Sequence, residues 1–288
     1  MYSDVARIVE ELRAADAANP CSPNHKIAVA LDSLIKRKVV KQTVMTTVYG
    51  VTRFGAILQI QKQLKELPEL PVEMHRPAAH YLSGCIFRSL ELMFTATKEI
   101  QDWFSMCAVL ISKVRKESVE WVTPLGLPIA QPYYKAQSKQ QLVKLGTTTD
   151  ISLLADLQIP NSMKQRNAFP PNYIHSLDAC HMMLTSLHCQ ARGLAFASIH
   201  DCFWTHASTV DAMSMVCRDQ FVSLHSEPLL DQLSAFLQQR YGYSYEEFAR
   251  DGSSGDSARL RLNRLLEEVP QLGRFDIELV KKSHFFFS

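Results

Sequence analysis

The chain has 288 residues, enough for one large or two smaller domains with a substantial core, and its 47% hydrophobic and 21% charged content is that of an ordinary soluble globular protein. A net charge of +2 does not mark a nucleic-acid binder, so any contact with DNA or RNA has to come from local clusters. Seven cysteines without a Cys-x-x-Cys pair argue against a disulfide framework or a zinc site, and favour reduced thiols in an intracellular compartment; no apolar run is long enough to span a membrane.

Residues 4–16 read as an amphipathic helix, with Val5, Ile8, Val9 and Leu12 on one side and Glu10, Glu11 and Arg13 opposite. Pro20-Cys21-Ser22-Pro23 breaks it, and one helix is expected from about residue 25 to Gly50. A further helix carries Leu58, Ile60, Gln61 and Leu64 until Pro68, and residues 77–116 are helical throughout. Val119 to Val122 and Leu127 to Tyr134 flank the turn signal Thr123-Pro124-Leu125-Gly126, a β-hairpin pattern. Residues 137–167 are polar and turn-rich, with an extended stretch at about 151–157 and a small basic patch at Lys164 and Arg166. A helix over about 172–191 ends at Gly193. An apolar strand to Ile199, a tight turn at His200-Asp201 and a partner strand over 202–205 follow. Ser208 to Asp211 resembles a capping box. Two more helices, a loop at 251–256 and a Phe-rich tail complete the chain.

Within the second helical stretch, Arg37, Lys41 and Met45 recur at i, i+4 and i+8, with Tyr49 one turn further and Gly50 as a C-terminal stop. The span from Arg37 to Tyr49 is roughly 18 Å, at about 1.5 Å per residue. Two cations at one end and an aromatic hydroxyl at the other could line a bound nucleotide. By spacing alone the same pattern is a solvated helical face. The β-branched residues Val39, Val40, Thr43, Val44, Thr46, Thr47 and Val48 argue locally against a helix.

Taken with Ile199-His200-Asp201-Cys202, this stretch resembles the nucleotide-binding finger helix and metal-binding palm turn of single-subunit, bacteriophage-type RNA polymerases. Trp121-Val122-Thr123-Pro124-Leu125-Gly126-Leu127-Pro128 and Phe169-Pro170-Pro171-Asn172-Tyr173-Ile174-His175-Ser176-Leu177-Asp178-Ala179-Cys180-His181 resemble the mitochondrial branch of that family. The likeness runs from the first helix to the terminal phenylalanines. It implies an α+β, mostly α fold comprising the fingers and the C-terminal half of the palm of a right-hand polymerase. Fingers would fill about 1–118, the hairpin and a connecting segment about 119–168, a palm part about 169–225, and C-terminal helices and tail about 226–288.

The resemblance implies template-directed nucleotidyl transfer from ribonucleoside triphosphates with two Mg²⁺ ions, a DNA template, an RNA product, initiation and elongation factors as partners, and the mitochondrial matrix as location. Asp201 is the implied Mg²⁺ ligand and, with Lys41, the implied catalytic pair. Arg37 and Lys41 would neutralise the triphosphate, Tyr49 would stack at the active base pair, and His175 would read the 2′-hydroxyl. Without the resemblance, Asp201 is a residue stabilising its own turn and His175 an ordinary helix histidine. The family's first palm carboxylate lies in an Asp-Gly-x-x-Asn-Gly-Leu-Gln-His stretch that these residues lack, and Asp251-Gly252-Ser253-Ser254-Gly255 stands on the wrong side of Asp201 to replace it. The chain therefore carries one of the two metal aspartates and, with no transit peptide at its start, is expected to be incomplete and inactive alone. A repair-type DNA polymerase is the rival enzyme, though an acidic residue usually follows His-Asp there and Cys202 stands here. A non-catalytic nucleic-acid-binding fragment is the rival from another class.

Overall fold

The computed structural model describes residues 2–48, 50–135, 159–199, 202–251, 256–284 and 286. Among them helices dominate, with two small antiparallel hairpins, an α+β and mostly α architecture. The chain divides into two compact units, Met1–Ile100 and Gln101–Ser288.

The first unit is helical: α1 (Tyr2–Ala18), α2 (His25–Ala30), α3 (Arg37–Val48), α4 (Arg53–Leu64), α5 (His75–Met93) and the start of α6 (Thr95–Leu110). Val5 and Val9 of α1, Val40 and Val44 of α3, Ile60 and Leu64 of α4, and Leu82 and Ile86 of α5 converge in one core. That burial explains why a run of β-branched residues is helical: their stiff side chains lose little on packing, and tertiary contact outweighs a weak local preference.

The expected single helix over 25–50 is two helices. The chain leaves helical geometry after α2, passes through Ser33 at φ 61, and re-enters at Arg37. Arg13, expected on the solvent side of α1, is buried at this break. Its guanidinium donates to the Ala28 carbonyl at 3.0 Å and pairs with Glu10 at 2.6 Å and Asp32 at 2.8 Å. The bond to the Ala28 carbonyl satisfies a helix-end acceptor that would otherwise lack a partner. The stretch expected to be helical throughout from residue 77 is likewise interrupted, at Phe94 (φ −131, ψ 57), between α5 and α6.

In the second unit, α6 ends in a π-helical turn, Ile111–Arg115, and strands β1 (Glu120–Val122) and β2 (Pro128–Ala130) pair with Trp121 opposite Ile129. The 30-residue helix α7 (Ser162–Ala191) starts about ten residues earlier than its Pro-Pro dipeptide suggests. Asn161 caps it by accepting from the Lys164 N–H, and Gln165 in the first turns is fully buried in an amide network. The basic patch is therefore part of a helix whose intervening residue, Gln165, faces the core. Strands β3 (Ala197–Ile199) and β4 (Cys202–Trp204) form the second hairpin. Helices α8 (Val210–His225), α9 (Leu229–Tyr241), α10 (Tyr245–Asp251), α11 (Asp256–Glu267) and α12 (Leu279–Lys282) follow. The capping box expected at 208–211 does not form: Thr209 caps α8 without a side-chain bond to its amides, and its hydroxyl turns to Thr205 and the His206 carbonyl. The extended stretch expected at 151–157 and the loop at 252–255 lie outside the described residues.

Candidate functional site

Helix α3 presents two contrasting faces. Val39, Val40, Thr43 and Val44 are buried, while Arg37, Lys38, Lys41 and Met45 are exposed. Lys41 follows Arg37 at i+4, so the two cations stand one turn apart on one stripe. Lys38 is engaged with Glu66 at 2.6 Å, and Arg37 lies 5.6 Å from the Tyr2 ring centroid. Lys41 makes no ion pair among the described residues. Such an uncommitted ammonium beside a guanidinium suits a polyanion better than it suits fold stability.

Tyr49 lies outside the described residues, but the stop that follows it is clear. The Gly50 amide bonds to the Thr47 carbonyl at 3.0 Å and the Val51 amide to the Thr46 carbonyl at 2.9 Å, with Gly50 at φ 74. This is a Schellman closure, and its positive φ favours glycine.

In the second unit, the two stretches that carried the closer resemblance pack on each other. Trp121 of β1 meets Phe169 at 5.4 Å and Tyr173 at 6.1 Å between ring centroids, and its indole N–H donates to the Ser176 hydroxyl at 3.1 Å. Gln165 receives the Val119 amide at 3.2 Å and the Gln131 side-chain amide at 2.6 Å, and donates to the Gln131 carbonyl at 2.9 Å. With Tyr173, Ser176 and Leu177 turned inward, His175 and Asp178 are left on the outer face of α7. Asp178 is exposed at its outer side yet closely surrounded: desolvation raises its carboxyl pKa, against the opposing pull of His175, His225 and His181.

The second hairpin pairs Ile199 with Cys202, and His200 and Asp201, which follow Ile199 in sequence, lie outside the described residues. Arg37 and Lys41 belong to one unit, and His175 and the β3–β4 hairpin to the other. Among the described residues, no group of three or more His, Cys, Asp or Glu could hold a metal ion.

Arg13, Gln165 and His181 are among the buried polar residues whose burial the sequence did not reveal; His181 lies one and two-thirds turns beyond His175 and is 5% exposed. Half-buried Arg115 sits 3.6 Å over the Tyr243 ring and binds the Tyr241 carbonyl at 2.7 Å and the Glu247 carboxylate at 2.7 Å. The Arg115 hydrogen bond, with help from the Ser244 amide, pushes the Glu247 carboxyl down to about 2. This latch ties the π-helical turn to α9 and α10 and is structural.

The family profile described as DNA-dependent RNA polymerase matches residues 1–288, and the chain belongs to that family. It is 48% identical over 288 residues to the Mus musculus protein named "DNA-directed RNA polymerase, mitochondrial", covering all of this chain and 23% of that protein. The Homo sapiens protein of the same name is 47% identical over 295 residues, with 22% of its length covered. The Nicotiana tabacum "DNA-directed RNA polymerase 2A" is 36% identical over 291 residues, with 80% of its length covered. The chain thus spans less than a quarter of the mouse and human relatives.

Proposed function

We propose that these residues carry the nucleotide-handling part of a mitochondrial DNA-directed RNA polymerase, acting on a DNA template and ribonucleoside triphosphates in the matrix. The observation that carries this reading is the uncommitted Lys41 one turn from Arg37 on the open face of α3, in a chain of this family. The first unit is read as fingers, and α7 with the β3–β4 hairpin as the palm part. Lys41 and Arg37 would hold the triphosphate oxygens as point charge and planar fork. Tyr49 would stack at the active base pair, and His175, on the outer face of α7, would bond the 2′-hydroxyl that separates a ribonucleotide from a deoxynucleotide.

Asp201, one of the two residues between β3 and β4 in sequence, would offer the oxygen donor that Mg²⁺ prefers. Bound there, the ion would supply charge neutralisation at the transferring phosphoryl group, its other oxygens coming from substrate and water. The initiation and elongation factors of mitochondrial transcription are the expected protein partners.

Lys41→Ala in the complete enzyme should lower ribonucleotide addition by about a hundredfold while template affinity stays within about twofold. A parallel loss of template affinity would place Lys41 on a DNA-contacting or structural face instead.

A further inference from the structure

Strand β4 has one side chain turned toward the rest of the molecule. Cys202 and Trp204 are exposed, and Phe203 between them is half-buried, the alternation a strand imposes. Phe203 meets Phe196 at 5.3 Å and the imidazole of His181 at 6.0 Å. His181 in turn lies 5.4 Å from Phe221 of α8, edge-on at 85°, and 6.4 Å from Phe286 near the chain's end. One ring on α7 therefore touches the hairpin, α8 and the tail.

An imidazole in that aromatic cage costs desolvation unless its polar atoms are bonded. Its Nε2 is 2.8 Å from the Cys217 carbonyl, which can only accept, so Nε2 carries the proton. The Cys217 sulfur lies 3.7 Å from the same nitrogen. Burial holds the His181 pKa below its ordinary value, which favours this neutral, donating form. The bond orients the ring, and the ring gives Phe203 its seat. A phenylalanine could fill the volume but could not be oriented by Cys217.

We infer that His181 is a positioning residue for the β3–β4 hairpin: it acts not on substrate but through Phe203, by setting where β4 lies on α7. The catalytic part of this inference rests on the proposed role of the turn; the anchoring part does not. The family resemblance takes in His181 but gives it no role, because the groups that surround it come from β4, α8 and the tail.

The test uses the complete enzyme with His181→Ala, His181→Phe and, should the alanine variant not fold, Phe203→Ala. Hydrogen exchange is followed in peptides covering β3 and β4, with the β1–β2 hairpin of the same sample as internal reference. His181→Ala should speed exchange in β3–β4 by about tenfold or more, leave β1–β2 within about twofold, and lower kcat by about tenfold with the ribonucleotide KM little changed. His181→Phe, which keeps the ring seat, should recover part of both losses, and Phe203→Ala should reproduce the local exchange. Unchanged β3–β4 exchange, or equal acceleration in both hairpins, would overturn the anchoring. Local acceleration with kcat intact would overturn the positioning role. Absence of template-directed synthesis in the parent enzyme would instead sink the functional reading, with the exchange result still deciding the anchoring.

Discussion

The two hairpins of the second unit are built alike and used differently. Each has three-residue antiparallel strands in simple register. In the first, Val119 and Trp121 are buried, Gln131 is locked to Gln165, and the Tyr241 hydroxyl accepts from the Glu120 amide at 2.9 Å while donating to the Ser118 carbonyl at 2.7 Å. In the second, Ile199 is 62% and Trp204 61% exposed, and attachment runs through Phe203. A short hairpin has little stability of its own. The first borrows it from the core and becomes scaffold for α7. The second meets α7 through Phe203 and keeps Ile199 and Trp204 exposed.

The largest effect that would break this contrast is at Trp121. Trp121→Ala removes the centre of the aromatic cluster formed with Phe169 and Tyr173 and should cost about 3–5 kcal/mol in denaturant unfolding of the second unit. A cost below about 1 kcal/mol would mean that the first hairpin is no more integral than the second. At the other end of the scale, Trp204→Ser should change stability by no more than about 0.5 kcal/mol, because an exposed side chain gives up little packing. Destabilisation beyond about 1 kcal/mol would show Trp204 to be a second anchor for β4.

The same contrast explains what could be read from the sequence. The first hairpin was legible because turn chemistry is local: Gly126 sits at φ 82, its amide bonds to the Thr123 carbonyl at 2.8 Å, and the Leu127 amide to the Thr123 hydroxyl at 3.0 Å. The exposed stripe of Arg37 and Lys41 was legible from helical spacing, whereas the outward position of His175 was not, since spacing reads it as an ordinary helix histidine. Tyr49 and Asp201 lie outside the described residues, so their placement rests on the neighbouring elements. The break after α2 was hidden, since it depends on Ser33 at positive φ and on Arg13 reaching from α1 to the Ala28 carbonyl. The early start of α7 was hidden by Pro170 and Pro171, which read as a stop although the helix runs through them. His181 was legible as a helix residue at the end of the resemblance motif, but its burial was not, because its cage is assembled from distant residues.

Under the proposed function, Asp201, between β3 and β4 in sequence, supports the chemistry. Asp201→Asn in the complete enzyme tests it most directly, by Mg²⁺-dependent extension of an RNA primer on a DNA template, with ribonucleotide and template binding measured in parallel. Extension should fall by about a hundredfold or more while both affinities stay within about tenfold, because the substitution removes a metal-holding charge without removing the turn. Extension retained within about tenfold of the parent would contradict the claim and return Asp201 to the role of a residue that stabilises its own turn.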